Sequence, residues 1–100
     1  MHEWITLESE IGTKGTEDGV IIQDEEYAHA CRASLERCTE YYAVTCGVYG
    51  SMVHTAFFDE SNYLAKYEEI KRDLQNFIDN VEHMNEDERS DFYAYFCDKY

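Results

Sequence analysis

The chain has 100 residues, of which 22 are acidic and 8 are basic, so its formal net charge is −14 at pH 7. A surface this acidic repels nucleic acid and anionic membranes, which argues against direct binding to either, and it attracts basic proteins or cations. Disorder is also disfavoured, because 44% of the residues are hydrophobic and 15% are aromatic. We therefore expect a single folded domain over residues 1–100.

The first third of the chain predicts two strands and a helix. Residues 3–11 alternate in polarity, with Ile5 and Trp4 on opposite sides, as in a half-buried strand. A polar loop with three glycines spans residues 12–19, and residues 20–22 form a second, short strand. Asp24 is then a candidate helix N-cap, and we expect a helix from there to about residue 37.

An uncharged segment, residues 41–58, predicts a β-hairpin. Gly50-Ser51 suits a two-residue type II′ turn, and Tyr49-Gly50 is a second possibility. Both turns place the same residues on each face of the hairpin. The predicted core side carries Tyr42, Val44, Cys46, Val48, Val53, Thr55 and Phe57. The predicted outer side carries small residues and His54, flanked by Tyr41, Met52 and Phe58. It lets a helix approach closely or leaves a shallow surface for a partner.

A long amphipathic helix is predicted from about residue 61 to residue 84. Apolar residues recur there at steps of three and four and form one stripe, which must be buried. The stripe consists of Tyr63, Tyr67, Ile70, Leu74, Phe77, Val81 and Met84. Gln75 falls on the solvated face. Asn85 and Glu88 then form a capping box that starts a last helix.

These elements predict an α+β fold in the order β-β-α-β-β-α-α, with helices packed on a small, mainly antiparallel sheet. We expect no secretory signal, because Met1-His-Glu-Trp lacks a basic and an apolar region. Polar residues inside segment 41–58 also argue against a membrane span. We therefore expect a cytoplasmic protein whose four cysteines stay reduced.

The residue patterns give little support to catalysis, metals or cofactors. No cysteine or histidine pair has the spacing of a zinc site. The predicted hairpin faces separate Cys46 from His54, which argues against a Cys/His nucleophile. The glycine loop lacks the order of a phosphate-binding loop and contains two acids, Glu17 and Asp18. We expect no catalytic residue, no metal and no cofactor.

The acidity itself is the strongest functional signal. Acids one helical turn apart lie about 5–6 Å from each other at Cβ, which is comparable to the spacing of backbone phosphates. The candidate partner-binding residues are Glu69, Asp73, Asp79, Glu82, Glu86, Asp87, Glu88 and Asp91. Asp79 and Glu82 lie off the apolar stripe, so we expect the fold to tolerate charge reversal there. The outer face of the hairpin, with Tyr49, Met52 and His54, is an alternative surface.

Three functional hypotheses follow. The first is a non-enzymatic inhibitor that mimics nucleic acid and occupies the basic groove of a nuclease or other nucleic-acid-binding protein, as anti-restriction and anti-CRISPR decoys do. The second is an immunity protein or antitoxin that neutralises a basic nuclease toxin. The third is a small enzyme or ligand-binding domain, which requires a concave pocket near His54 lined by Tyr41, Tyr49 or Tyr67. A second copy of the chain is a further candidate partner.

Overall fold

The computed structural model describes residues 2–100 and contains five strands followed by two helices. The strands are β1 (Trp4–Thr6), β2 (Val20–Tyr27), β3 (Cys31–Arg37), β4 (Tyr42–Val48) and β5 (Met52–Phe58). The helices are α1 (Tyr63–Asn80) and α2 (Glu86–Lys99), and short 3₁₀ turns lie at Glu8–Glu10 and Val81–His83. All strands pair antiparallel with their neighbours in one sheet of order β1-β2-β3-β4-β5. The predicted fold class, an antiparallel sheet with helices packed on it, is confirmed.

The helix predicted from Asp24 to residue 37 is wrong, because this segment forms the end of β2, a tight turn and β3. The turn centres on Ala28 and His29, both with positive φ (55° and 53°), and the Ala30 N–H bonds to the Tyr27 carbonyl. Such a turn normally contains asparagine or glycine, and their absence hid it. A spacing of four also keeps two residues on one face in either structure, so Cys31 and Leu35 share a face on a strand as well as on a helix.

Helix α1 buries the predicted stripe against the sheet. Tyr67, Ile70, Leu74 and Phe77 are its buried residues, and they contact the inward-facing side chains of β3 and β4. The helix is shorter than predicted, because the chain passes into a 3₁₀ turn at Val81. The prediction that Gln75 is fully solvated is wrong. Its side chain is half-buried and accepts a hydrogen bond from Trp4 Nε1 at 3.0 Å.

Trp4 reaches Gln75 because β1 turns its indole, and not Ile5, towards the helices. Ile5 is 54% exposed, whereas Trp4 packs on Tyr27 with ring centroids 5.4 Å apart. β1 is also shorter than predicted, since a 3₁₀ turn replaces its second half. The first edge of the sheet is therefore only three residues long.

The predicted hairpin exists, but its second strand has the opposite face assignment. The Ser51 N–H bonds to the Val48 carbonyl, so Tyr49 and Gly50 form the turn, with φ of +75° at Gly50. Val48 then pairs with Met52, which leaves three residues between the paired positions instead of two. A shift of one residue moves every side chain of a strand to the other face.

The prediction that Val53, Thr55 and Phe57 lie in the core is therefore wrong. The inward positions of β5 are Met52, His54, Ala56 and Phe58, while β4 keeps the predicted orientation.

Helix α2 begins at the predicted capping box. Glu88 N–H donates to the Asn85 side chain at 2.8 Å, and Asn85 N–H donates to the Glu88 carboxylate at 3.0 Å. Phe92 stacks on Phe77 of α1 with centroids 4.2 Å apart, and Phe96 is completely buried. Both helices thus cover one face of the sheet, and the other face carries no helix.

Candidate functional site

The 3₁₀ turn after α1 and the first two turns of α2 present carboxylates that no described base neutralises. They belong to Glu82, Glu86, Asp87 and Asp91, and we call this set the acidic corner. All four residues are exposed, and within residues 2–100 no basic side chain lies within 4.0 Å of their carboxylates. Glu82 lies in the 3₁₀ turn, and the other three occupy the first two turns of α2. Asp87 and Asp91 are one helical turn apart, which places their Cβ atoms about 5–6 Å from each other.

Arg89 is next to these acids in sequence but does not pair with them. Its Nη2 donates to the Val81 backbone carbonyl at 2.9 Å, and its Nε is buried. The guanidinium thus supports the carbonyl at the end of α1, where helix carbonyls lack partners within the helix. The fold itself leaves the corner uncompensated.

Two other predicted site residues, Glu69 and Asp73, are engaged within the protein. Lys99 Nζ lies 2.9 Å from Asp73 and 3.4 Å from Glu69, and the Tyr100 hydroxyl donates to both carboxylates. The hydrogen bond from Tyr100 is the main reason that the pKa of Glu69 is lowered. The bond to Asp73 raises the pKa of Lys99. The repulsion expected from two acids at i,i+4 is therefore offset by α2.

The last two predicted acids also have structural partners. Glu88 belongs to the capping box of α2. Asp79 accepts a hydrogen bond of 2.6 Å from the Tyr27 hydroxyl, which joins the end of β2 to the last turn of α1. Tyr27 is only 2% exposed, and this bond to Asp79 raises its pKa to about 12. This hydrogen bond argues against the expectation that the fold tolerates charge reversal at Asp79, which stays a prediction. Among the described residues, four of the eight predicted acids remain exposed carboxylates without a basic or hydrogen-bonding partner.

The alternative surface is not a continuous patch. Met52 is buried, and His54 turns towards α2, where its ring lies edge-on to Phe96 with centroids 6.2 Å apart. Tyr49 extends from the turn on the other side and donates a hydrogen bond of 2.5 Å to Glu26. Tyr67, named with the predicted pocket, is a core residue. Among the described residues, these side chains do not form a pocket around His54.

The argument that separated Cys46 from His54 is also wrong, since the two residues pair directly across β4 and β5. Their chemistry is nonetheless that of packed core residues. The Cys46 thiol donates to the His54 backbone carbonyl at 3.7 Å, and burial raises the pKa of Cys46 to about 12. The thiol is thus protonated at neutral pH and is not an activated nucleophile.

Sequence reasoning missed a groove of about 400 Å³ on the helix-free face of the sheet. Arg32, Thr45 and Val53 contribute to its floor, and the loop of residues 12–19 forms one wall. Asp24, which is completely buried, fixes Arg32 through two hydrogen bonds of 2.9 and 2.5 Å and also accepts one from Ser34. The carboxylate neutralises the guanidinium, and Lys14, which also lines the groove, lies 3.2 Å from Asp18, so both bases of the lining are paired with acids. Arg32, Ser34 and Glu36 alternate along β3 and line the groove, and the prediction of a helix for this segment concealed their common face.

Within residues 2–100, no three His, Cys, Asp or Glu side chains are grouped as metal ligands, and all four cysteines are free. No helix in this part of the chain combines the length and the apolar character that a membrane crossing requires. No protein-family model, curated protein or solved structure matches the chain.

Proposed function

We propose that this chain is a non-enzymatic, cytoplasmic inhibitor that binds the basic nucleic-acid groove of another protein through the acidic corner. The observation that carries the proposal is the set of four exposed carboxylates without a basic partner among residues 2–100. Lys99 and Arg32, by contrast, are paired with acids of the same chain. The four carboxylates of the corner are therefore available to a partner.

The corner also has an aromatic neighbour that suits an interface. Tyr95 is 60% exposed and follows Asp91 by one turn of α2. Tyrosine supplies a large contact area at low entropic cost, and it is enriched among the residues that dominate binding energies. Carboxylates would meet the phosphate-binding lysines and arginines of the partner, and Tyr95 would pack beside them.

The alternative is an immunity protein or antitoxin that blocks a basic nuclease toxin with the same corner. Both functions use electrostatic attraction to a positive site, so they share these residues. The neighbouring genes would separate them, because an immunity gene follows the gene of its toxin.

The test is a pull-down from a nuclease-rich bacterial lysate with the immobilised chain, at low and at high salt. A basic nucleic-acid-binding protein should be retained at low salt and released at high salt, because exposed charges are screened within about 8 Å at physiological ionic strength. A DNA or RNA oligonucleotide should compete with the chain for the retained protein. The variant Glu82→Gln, Glu86→Gln, Asp87→Asn and Asp91→Asn should retain much less of it.

A matched control removes four exposed acids elsewhere and so has the same net charge. It consists of Glu3→Gln, Glu8→Gln, Glu40→Gln and Glu60→Gln. This control should bind nearly as well as the unaltered chain. Equal losses in both variants would show that only the total charge matters, and retention that is insensitive to salt would overturn the proposal.

A further inference from the structure

β5 is an edge strand that lacks the protection usual for such strands. It spans seven residues, Met52–Phe58, and contains no Lys, Arg, Asp, Glu, Pro or Gly. Its backbone pairs with β4 on one side, and no other described segment forms a backbone hydrogen bond with it. Proteins normally shield long edges with charges, proline, bulges or a covering segment. The opposite edge, β1, has only three residues.

The outward side chains of β5 are apolar and exposed. Val53 is 81% exposed and Phe57 is 55% exposed. Tyr41 lies against Phe57 in a T-shaped arrangement, with centroids 5.6 Å apart, and is itself exposed. Apolar side chains on an open strand edge mark a surface that gains free energy when another strand pairs with it.

We propose that β5 pairs antiparallel with β5 of a second copy of this chain, about a two-fold axis at Thr55. This register uses all seven residues of both strands. Val53 of each copy then lies opposite Phe57 of the other, and such cross-strand apolar pairs stabilise a sheet. The two Thr55 residues face each other.

The charges are compatible with this register in spite of the net charge of −14 on each copy. The first acid after β5 is Asp59, and it would lie opposite Ser51 of the second copy. The two Asp59 residues would be about 27 Å apart, given about 3.4 Å per residue. No acid would therefore face an acid along the paired strands.

The proposed pairing also leaves no long strand edge free. Each copy has one long edge, so a dimer uses both and leaves only the two short β1 edges, and an isologous two-fold contact does not propagate into fibres. This inference is independent of the proposed function, and the two respond in opposite directions to an increase in salt concentration. Salt screens the repulsion between copies and should strengthen the dimer, whereas it should weaken binding to a basic partner.

A charge swap at the two-fold axis tests the proposal. Thr55→Asp or Thr55→Lys alone places like charges opposite each other, so each variant should raise the dimer dissociation constant by about tenfold or more. A mixture of the two variants should form a heterodimer, because the charges are then opposite. Light scattering coupled to size-exclusion chromatography measures the mass against the 11.8 kDa of one chain.

Two further variants complete the experiment. Val53→Lys, at the most exposed position of β5, should also give monomers, which covers the case that the Thr55 variants do not fold. Ile5→Lys adds the same charge to an exposed position of the other edge, β1, and should leave the dimer intact. A monomeric unaltered chain at millimolar concentration, a dimer unaffected by the Thr55 and Val53 variants, or open-ended oligomers would each overturn the proposal.

Discussion

The hydrogen bond between Tyr27 and Asp79 predicts that one carboxylate near the acidic corner is structural. Tyr27 is buried, and its hydroxyl donates to the Asp79 carboxylate at 2.6 Å. Hydrogen bonds to charged groups contribute about 1.5–3 kcal/mol to stability. Because Asp79 is exposed and regains water when the bond is lost, we expect a coupling of about 1–2 kcal/mol, near the lower end of that range.

A double-mutant cycle with Tyr27→Phe, Asp79→Ala and both together measures this coupling by urea unfolding. Asp79→Ala should lower the free energy of unfolding by about 1–3 kcal/mol, because it leaves a buried hydroxyl without a partner. Glu82→Ala is the control, since Glu82 is exposed and unpaired, and its effect should stay within about 0.5 kcal/mol. If Asp79→Ala were as silent as Glu82→Ala, or if the two changes were simply additive, the reasoning would be refuted.

The remaining predictions concern alkaline pH, the core and the thiols. The pKa of Tyr27 is raised to about 12 in the folded chain against 10 for a free tyrosine, so its stabilisation is complete below pH 10 and is lost as the pH rises through about 12. The stability difference between the unaltered chain and Tyr27→Phe should therefore narrow over that range in urea titrations. Phe77→Ala should lower the free energy of unfolding by about 3–5 kcal/mol, because Phe77 is 4% exposed and packs on the aromatic rings of α2. The control Arg72→Ala, on the exposed face of α1, should leave the thermal unfolding nearly unchanged. Timed alkylation followed by mass spectrometry should show two cysteines that react quickly and two that react slowly. Slow alkylation of a half-buried thiol would contradict the packing. The fast pair is Cys38 and Cys97, and the slow pair is Cys31 and Cys46.

Local patterns were sufficient for three elements of the fold. The stripe of α1, the capping box of α2 and the existence of the β4–β5 hairpin depend on residues near each other in the chain. For α1 the wide apolar stripe fits only a helical repeat, and Asn85 with Glu88 specifies its own local hydrogen bonds. The acidic excess was also evident from composition alone.

Features that depend on register were decided by the tertiary structure. A three-residue separation between Val48 and Met52 reversed β5, and this placed Val53 on the open face and His54 under α2. The turn at Ala28 and His29 uses positive φ without glycine, so residues 24–37 satisfied a helical pattern as well as two strands. A spacing of four residues fits both the strand repeat of about two residues and the helical repeat of about 3.6 residues. Only the pairing with neighbouring strands distinguishes the two structures in such short segments.

The same division applies to the candidate site. The sequence by itself determined that acids cluster around the two helices, because the order of residues along the chain shows where acidic side chains lie. Only the tertiary structure decided which of them are free. Tyr27, Lys99 and Tyr100 come from elsewhere in the chain to engage Asp79, Asp73 and Glu69, while Arg89 turns to a backbone carbonyl. Contacts over 26 to 52 residues of chain separation leave no local pattern, so the acidic corner became visible only when the helices were packed on the sheet.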